Sequence, residues 1–317
     1  MAGTTRTKPE RLSSLQMTEP PAPHNETRGI VYVGGAYAFW GFVPLYWWFL
    51  RDVPAFEITL HRILWCSLVG LIVTAGRGHL SRLVSIVRTP RVIGALAVSS
   101  LLITANWTIY VYCVDSQRLV EASMGYYMTP LVSIGLGVVL LGERISRVRA
   151  VAIALATAAV AVQAVSLGRF PWVAPALALT FGFYGYVRKL TPVDSLDGLT
   201  IETCLLLPVT IALIALWAMQ GTGAFPSPVI SRDAFLIGTG PLTAVPLVLF
   251  AAGARRIRLT TLGFLQYFSP TITLLVATLI LDEPFSRTNV ITFGCIWAAL
   301  LLVGLEGRLG SLRRRLA

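Results

Sequence analysis

The second half of this 317-residue chain repeats the first half at a shift of about 140 residues, without a gap. The first-half residues Leu119, Tyr127, Pro130, Leu141, Glu143, Ser146, Arg147 and Ala158–Ala159 recur as Leu259, Tyr267, Pro270, Leu281, Glu283, Ser286, Arg287 and Ala298–Ala299. The matched loops differ in positive charge: the loop 115–118 holds one arginine, and its counterpart 255–258 holds three. Positive loops that alternate sides indicate an inverted membrane repeat, the architecture of many secondary transporters.

The composition agrees with a membrane location, since 55% of the residues are hydrophobic and 13% are charged, against about a quarter charged in soluble domains. Lipid offers no hydrogen-bond partner to an open backbone, so apolar runs of roughly 20 residues must be helices. The sequence therefore predicts an all-α polytopic membrane protein with ten transmembrane helices in two inverted five-helix repeats. The predicted spans are 29–50, 56–76, 92–113, 120–141, 147–167, 171–187, 199–219, 234–254, 259–281 and 288–306.

The flanking segments and loops divide the chain into four parts. Residues 1–28 are predicted to be a disordered cytoplasmic tail, because they are polar and proline-rich and lack the apolar core of a signal peptide. The first repeat covers 29–167, the second 171–306, and 307–317 is a basic cytoplasmic tail. Placing 20 of the 26 Lys and Arg residues on one side predicts that both termini are cytoplasmic.

The net charge of +11 does not indicate a nucleic-acid partner, since no aromatic-interleaved basic patch accompanies it. We attribute the charge to topology and to anionic lipid headgroups of the bilayer. The four cysteines lie singly in different spans, without metal-binding spacing. A P-loop, a dinucleotide-binding turn and a Ser/His/Asp set are also missing, so the sequence predicts no cofactor, no metal and no enzymatic activity.

Charged side chains within spans are informative exceptions, because each costs roughly 2.5–3.5 kcal/mol to insert. Glu57 and His61 share a helix face, and His61 and Glu202 occupy nearly equivalent places in the two repeats. They are candidate gates or proton-coupling sites, and Arg62 is a candidate counter-ion for Glu57. The alternative is that these residues lie at the interface, where headgroups and helix N-termini stabilise them. The coupling and gating candidates are Glu57, His61, Arg62, Glu121 and Glu202.

A second set of residues suits a binding cavity, because aromatic walls with a few hydrogen-bonding groups fit a small amphipathic molecule. Some of these residues are alternatively explained as members of the interfacial aromatic belt. Pro130 and Pro270 are symmetry-related candidates for helix kinks, since each removes a backbone donor within a span. The cavity candidates are Tyr37, Trp40, Asn106, Tyr110, Tyr127, Tyr184, Gln266 and Tyr267.

Several motifs resemble the RarD proteins of the EamA group, within the drug/metabolite transporter superfamily. They include Phe39–Trp40–Gly41, Glu57-x-x-x-His61–Arg62, Asn106–Trp107 and Phe183–Tyr184–Gly185, within a match from about Gly29 to Gly307. The resemblance implies ten helices around a central cavity lined mainly by helices one, three, four, six, eight and nine. It also carries the name "chloramphenicol-sensitive protein", a permease suspected of exporting that drug.

Together these observations predict a secondary transporter of the bacterial inner membrane that works by alternating access. Its substrate would be a small amphipathic metabolite or drug, moved outward by proton exchange or down its own gradient. A monomer would suffice for this activity, and the sequence predicts no particular oligomer. The alternatives are a passive channel, which needs a continuous polar lining, and a membrane enzyme, which needs acidic, His or metal ligands clustered at one face.

Overall fold

The computed structural model describes residues 23–116, 118–166, 172–280 and 287–316, and every regular element in these ranges is helical. A 3₁₀ turn, Trp48–Leu50, follows the first helix. The α-helices are α1 (Pro23–Trp47), α2 (Ala55–Gly76), α3 (Leu80–Val87), α4 (Pro90–Asp115), α5 (Leu119–Leu141), α6 (Arg147–Ser166), α7 (Val173–Leu190), α8 (Ser195–Gln220), α9 (Ile230–Ala254), α10 (Leu259–Gln266), α11 (Phe268–Leu279) and α12 (Arg287–Leu316).

Each predicted span corresponds to a helical segment, with α10 and α11 together forming the ninth. Seven helical segments in the described ranges are long and apolar enough to cross a membrane, and α12 adds a shorter apolar stretch, Val290–Glu306. The predicted all-α membrane fold is thereby confirmed. Helix α3 was not predicted, because its 8 residues are too few for a span.

The ends of the chain differ in part from the prediction. Helix α1 begins at Pro23, inside the segment predicted to be a disordered tail. A proline suits a first helical position, and the helix dipole stabilises the Glu26 carboxylate in the first turn. Helix α12 continues to Leu316, through the predicted basic tail. Residues 1–22 lie outside the described ranges, as do the repeat positions Leu281, Glu283 and Ser286.

The two halves of the chain interlock, and their helix contacts are related by a two-fold operation. Helix α1 packs on α9 and α11, just as α7 packs on α4 and α5. Helices α2, α5 and α6 each pack on their own counterparts, α8, α10 and α12. Close contacts recur at nearly the same shift: Gly41 approaches Ile272, and Gly182 approaches Val132. Most neighbours of a helix therefore come from the other half.

The bundle has two faces. The terminal face carries the loops 77–79, 142–146, 191–194 and 255–258, and the opposite face carries 51–54 and 221–229. The start of α1 lies against the end of α9, where Gly29 approaches Gly253. The Arg149 Nε atom lies 3.2 Å from Glu306 Oε2, which joins α6 to the end of α12. Both ends of the described chain thus lie at one face.

The two symmetry-related prolines have different local structures. Helix α5 continues through Pro130 from Leu119 to Leu141. The counterpart segment is interrupted at Tyr267, between α10 and α11 and just before Pro270. Pro270 has no N–H to donate to the carbonyl of Gln266 four residues earlier, so one bond of the helix ladder is missing there, as it is at Pro130. The interruption is found in the second half of the chain and not at Pro130.

Candidate functional site

Arg62 of α2 lies within the bundle, where side chains of three other helices reach it. Its Nε atom donates to the Thr243 Oγ1 of α9 at 3.1 Å. The guanidinium carbon lies 4.5 Å from the centroid of the Trp107 ring of α4 and 5.6 Å from that of Trp47. Because Trp47 ends α1 and Arg62 is in the second turn of α2, this site is closer to the opposite face.

Two tyrosines complete this site. Tyr110 of α4 and Tyr126 of α5 lie within range of the Arg62 charge, and their ring centroids are 6.4 Å apart. Tyr126 is 52% exposed, so part of its ring is not covered by the described side chains. We call the following residues the Arg62 cluster: Trp47, Arg62, Trp107, Tyr110, Tyr126 and Thr243.

The charge of Arg62 is only partly stabilised by the protein. None of the described carboxylates forms an ion pair with it. A charge within a span costs about 2.5–3.5 kcal/mol, and each aromatic face returns about 0.5–2 kcal/mol. The two Nη groups make no hydrogen bond to a described atom, and Arg62 keeps partial exposure. The Nη groups can therefore donate further hydrogen bonds to an anion.

Arg62 is not the counter-ion of Glu57, contrary to that hypothesis from the sequence. Glu57, His61 and Trp65 share one face of α2, whereas Arg62 points to another. The Glu57 Oε1 atom accepts a hydrogen bond of 2.6 Å from the N–H of Ala224, in the loop 221–229. Glu57 thus fixes this loop of the second half to α2 of the first.

His61 is buried in the same layer and is set up as a neutral imidazole. Its Nδ1 atom accepts a hydrogen bond of 3.2 Å from Trp65 Nε1, an atom that can only donate. The proton of the ring therefore sits on Nε2, which lies 3.9 Å from Glu57 Oε1. If Nδ1 were also protonated, its N–H would face the N–H of Trp65, and two donors would oppose each other. Of this pair, Glu57 is therefore the better candidate to exchange a proton.

An aromatic layer lies between the Arg62 cluster and the terminal face. Tyr37 and Trp40 of α1 are 5.1 Å apart, and Trp40 is 6.0 Å from Phe181 of α7. Tyr184 stacks on Phe250 of α9 at 6.0 Å. Tyr37, Tyr184 and Phe250 are all buried, so this part of the predicted cavity wall is closely packed in the structure.

The other cavity candidates lie outside the Arg62 cluster, apart from Tyr110. The Asn106 Nδ2 atom donates to the Leu177 carbonyl at 2.9 Å and to Thr180 Oγ1 at 3.0 Å, which ties α4 to α7. Tyr127 packs its ring 5.6 Å from Phe293 of α12. These side chains join helices in the interior of the bundle.

Gln266 and Tyr267 occupy the contact between α5 and α10. Gln266 is buried, its Oε1 atom accepts from Ser133 Oγ at 3.1 Å, and its side chain lies beside the Tyr37 hydroxyl. Tyr267 donates to the carbonyl of Tyr127 at 3.2 Å. Both residues therefore lie where the two repeats meet, rather than around Arg62.

Glu202 lies nearer the terminal face in a buried polar group. Its Oε1 atom accepts a hydrogen bond from Ser99 Oγ and lies 3.5 Å from Arg188 Nη1, and both charged residues are 2% exposed. Ser100 Oγ donates to the main-chain carbonyl of Glu202 at 2.9 Å. This group joins α4 of the first half to α7 and α8 of the second. The side chain of Glu121 is outside the described residues.

Further polar contacts hold the terminal face together. The Glu143 carboxylate accepts from the N–H groups of Leu259 at 2.7 Å and Thr260 at 2.9 Å, at the start of α10. An anion at this position is stabilised by the free N–H groups and the helix dipole. Arg82 lies 3.3 Å from Asp197. Each of these contacts links one half of the chain to the other.

The candidate residues chosen from the sequence did not include four members of the Arg62 cluster, Trp47, Trp107, Tyr126 and Thr243, although Trp107 belongs to one of the family motifs. The available signal was the isolated Arg62 within an apolar span, since such a cation requires aromatic or polar partners at the same depth. The partners on α4, α5 and α9 could not be chosen from the sequence because helix rotation is set by packing. In the described ranges, no group of three or more His, Cys, Asp or Glu is arranged to hold a metal.

The chain is similar to proteins of a known transporter family. The model of the EamA-like transporter family matches it twice, at residues 27–164 and 172–305. An uncharacterized transporter of Pseudomonas aeruginosa is 40% identical over 92% of this chain and 98% of its own length. Protein RarD of Escherichia coli is 38% identical over 87% of this chain and 93% of its own. A solved crystal structure, 18% identical, shares the fold with a TM-score of 0.69 over 89% of this chain and 98% of that one.

Proposed function

The chain belongs to the EamA-like transporter family, and on that premise we propose that it is a secondary transporter of the bacterial inner membrane that works by alternating access. The substrate is a small amphipathic metabolite or drug, and both termini of the chain are cytoplasmic. The terminal face is then the inner face. The names of the matched family and of the Pseudomonas aeruginosa relative favour transport over catalysis.

The observation that carries this proposal is the two-fold pairing of helices between the halves. The Arg62 cluster lies on the outer side of the aromatic layer, and polar contacts hold the inner face together. In an inverted repeat, exchanging the conformations of the two halves closes the outer side and opens the inner one. The contacts that must break for this exchange include those of Glu143 with α10 and of Glu202 with Ser99.

Transport is driven in this proposal by proton exchange or by the substrate gradient. Glu57 is the candidate that would exchange the proton, because its carboxylate bridges α2 and the outer loop 221–229. Protonation weakens a carboxylate as an acceptor, so loading a proton would loosen that loop. Chloramphenicol belongs among the compounds to test, since the RarD resemblance carries its name.

The test of transport is substrate counterflow in proteoliposomes containing purified protein. Separate pools hold chloramphenicol, amino acids, nucleosides and aromatic metabolites. Accumulation of a labelled compound against an excess of unlabelled compound inside identifies a carrier, with or without proton coupling. Flux that rises linearly with concentration indicates a passive channel. If folded protein shows no counterflow in any pool, the proposed transport of such compounds is wrong.

The test of alternating access is the labelling of a cysteine at Thr260, which is buried at the inner end of α10. In a background without native cysteines, Thr260→Cys should react slowly with an impermeant maleimide in inside-out vesicles. Adding Glu143→Ala removes the contact to α10 and should speed the reaction. Adding Arg51→Gln instead, at the exposed outer end, serves as the control and should leave the rate unchanged. Equal labelling rates in all three proteins would contradict this account.

A further inference from the structure

We propose that the Arg62 cluster binds the carboxylate of an organic monoanion whose apolar or aromatic body lies against the Trp and Tyr side chains around it. This inference rests on the proposed transport function and names the substrate class. Its grounds are the lack of an ion pair between Arg62 and any described carboxylate, the hydrogen-bonding capacity left on the guanidinium group, and the aromatic walls.

The first step is the charge. None of the described carboxylates forms an ion pair with Arg62, whereas the buried Arg188 does have such a partner. Arg188 lies 3.5 Å from Glu202. A lone cation inside a span is unfavourable unless a ligand of opposite charge completes it. The structure therefore leaves a place for one negative charge.

The second step is the geometry of the guanidinium group. Its Nε atom donates a hydrogen bond of 3.1 Å to Thr243 Oγ1, which fixes the orientation of the side chain. The Nη groups remain without a hydrogen bond to a described atom, and Arg62 is partly exposed. Two parallel N–H donors match the two oxygens of a carboxylate. A lysine at this position would supply the charge but not this planar pair.

The third step is the composition of the walls. Trp107 and Trp47 present their ring faces to the guanidinium at 4.5 Å and 5.6 Å. Tyr110 and Tyr126 interact electrostatically with Arg62, their ring centroids are 6.4 Å apart, and Tyr126 is about half exposed. Exposed aromatic surface favours an apolar or aromatic body, and the Tyr hydroxyl groups can donate to an anion. Since the cluster contains one cation, it suits a monoanion better than a dianion.

The test uses matched acids and amides, which have nearly the same shape and differ in charge. 3-Phenylpropionate and 3-phenylpropionamide, with benzoate and benzamide as a second pair, are titrated against the detergent-solubilised full-length protein by calorimetry. We expect each acid to bind at least about tenfold more tightly than its amide, since charge-assisted hydrogen bonds are the strong ones. Equal affinities, or no binding of either acid at millimolar concentration, would overturn the proposal.

Three variants identify the residue responsible. Arg62→Gln should bring the acid-to-amide ratio to about one, and Arg62→Lys should give an intermediate ratio because it keeps the charge without the planar donors. Arg51→Gln removes a cation that lies 4.7 Å over Trp48 at an exposed site, and should leave the ratio unchanged. Monodisperse elution and an unchanged helical spectrum verify folding. A ratio retained in a folded Arg62→Gln protein contradicts the assignment.

Counterflow separates this proposal from the proposed function. Counterflow of neutral compounds alone would overturn the anion site and leave the transporter standing. Arg62-dependent binding of acids without counterflow of any compound would overturn transport and leave the anion site standing. Counterflow of monocarboxylates that is lost in Arg62→Gln supports both.

Discussion

The Tyr267 hydroxyl donates a hydrogen bond of 3.2 Å to the main-chain carbonyl of Tyr127, its own counterpart 140 positions earlier in the chain. The bond lies where α5 and α10, which are symmetry-related, pack on each other. The Tyr127 hydroxyl does not donate a corresponding hydrogen bond to the carbonyl of Tyr267 or to any other described atom. The two-fold relation is therefore broken at the contact between the repeats. If the halves exchange conformations during transport, the bond should reverse.

Tyr267→Phe should reduce the stability of the state described here by about 1 kcal/mol, because it removes the hydrogen bond to the Tyr127 carbonyl. The measurement is unfolding of the purified protein in mixed detergent micelles. Tyr127→Phe is the matched control, since it makes the same chemical change at the symmetric position without removing a described bond. An equal loss in the two variants would show that the Tyr267 bond contributes nothing of its own.

Gly263→Ala should separate α5 from α10. A Cβ atom on Gly263 would lie 2.6 Å from Ile134 Cγ1 and 2.7 Å from the Pro130 carbonyl oxygen. Because a main-chain carbonyl cannot move aside, we expect a destabilisation of about 1–3 kcal/mol in the same unfolding measurement. Gly35→Ala in α1 meets no atom within 4 Å, and should be neutral or slightly stabilising. A stable Gly263→Ala protein would mean that the two helices pack less closely than described.

Arg188→Met should destabilise the protein strongly, by about 3–5 kcal/mol, because it leaves the buried Glu202 carboxylate without its cation. The double variant Arg188→Met with Glu202→Gln should recover much of that loss, since no uncompensated charge remains. Thermal unfolding of the two single variants and the double variant forms the cycle that measures this coupling. Additive losses would show that the two charges do not stabilise each other.

Glu57→Gln should abolish the pH dependence of transport if Glu57 exchanges the proton, while substrate counterflow persists. The amide oxygen can still accept from the Ala224 N–H, so the loop 221–229 should remain fixed. Glu57→Ala removes that acceptor and should cost a further about 1–3 kcal/mol of stability. The measurement is uptake at several pH values beside thermal unfolding. A pH profile unchanged by Glu57→Gln would remove this residue from the coupling mechanism.

Much of the fold could be predicted because its causes are local or periodic. Runs of apolar residues long enough to cross the bilayer must be helical, and the 140-residue shift relates one half to the other. The sequence could not show that the helix breaks beside Pro270 and continues through Pro130. The two prolines have the same local chemistry, and packing in each half decides which helix is interrupted.

The candidate site was predicted less completely. Arg62 was recognised as a costly charge within a span, but it was given the wrong partner, because Glu57 is near in sequence and lies on another face of α2. Tyr127 and Tyr267 were expected at a cavity wall, and they meet each other between the repeats instead. The rotation of each helix about its axis decides these outcomes, and packing against other helices sets that rotation.

The sequence by itself determined the class of the protein, its helical spans and the inverted repeat, since all three follow from hydrophobicity, length and charge along one chain. Only the tertiary structure decided which side chains meet. It set Arg62 among Trp107, Tyr126 and Thr243 and tied Glu57 to the distant Ala224. The physical reason is that these neighbours come from other helices, often in the other half of the chain, and their contacts form only when the two repeats interlock.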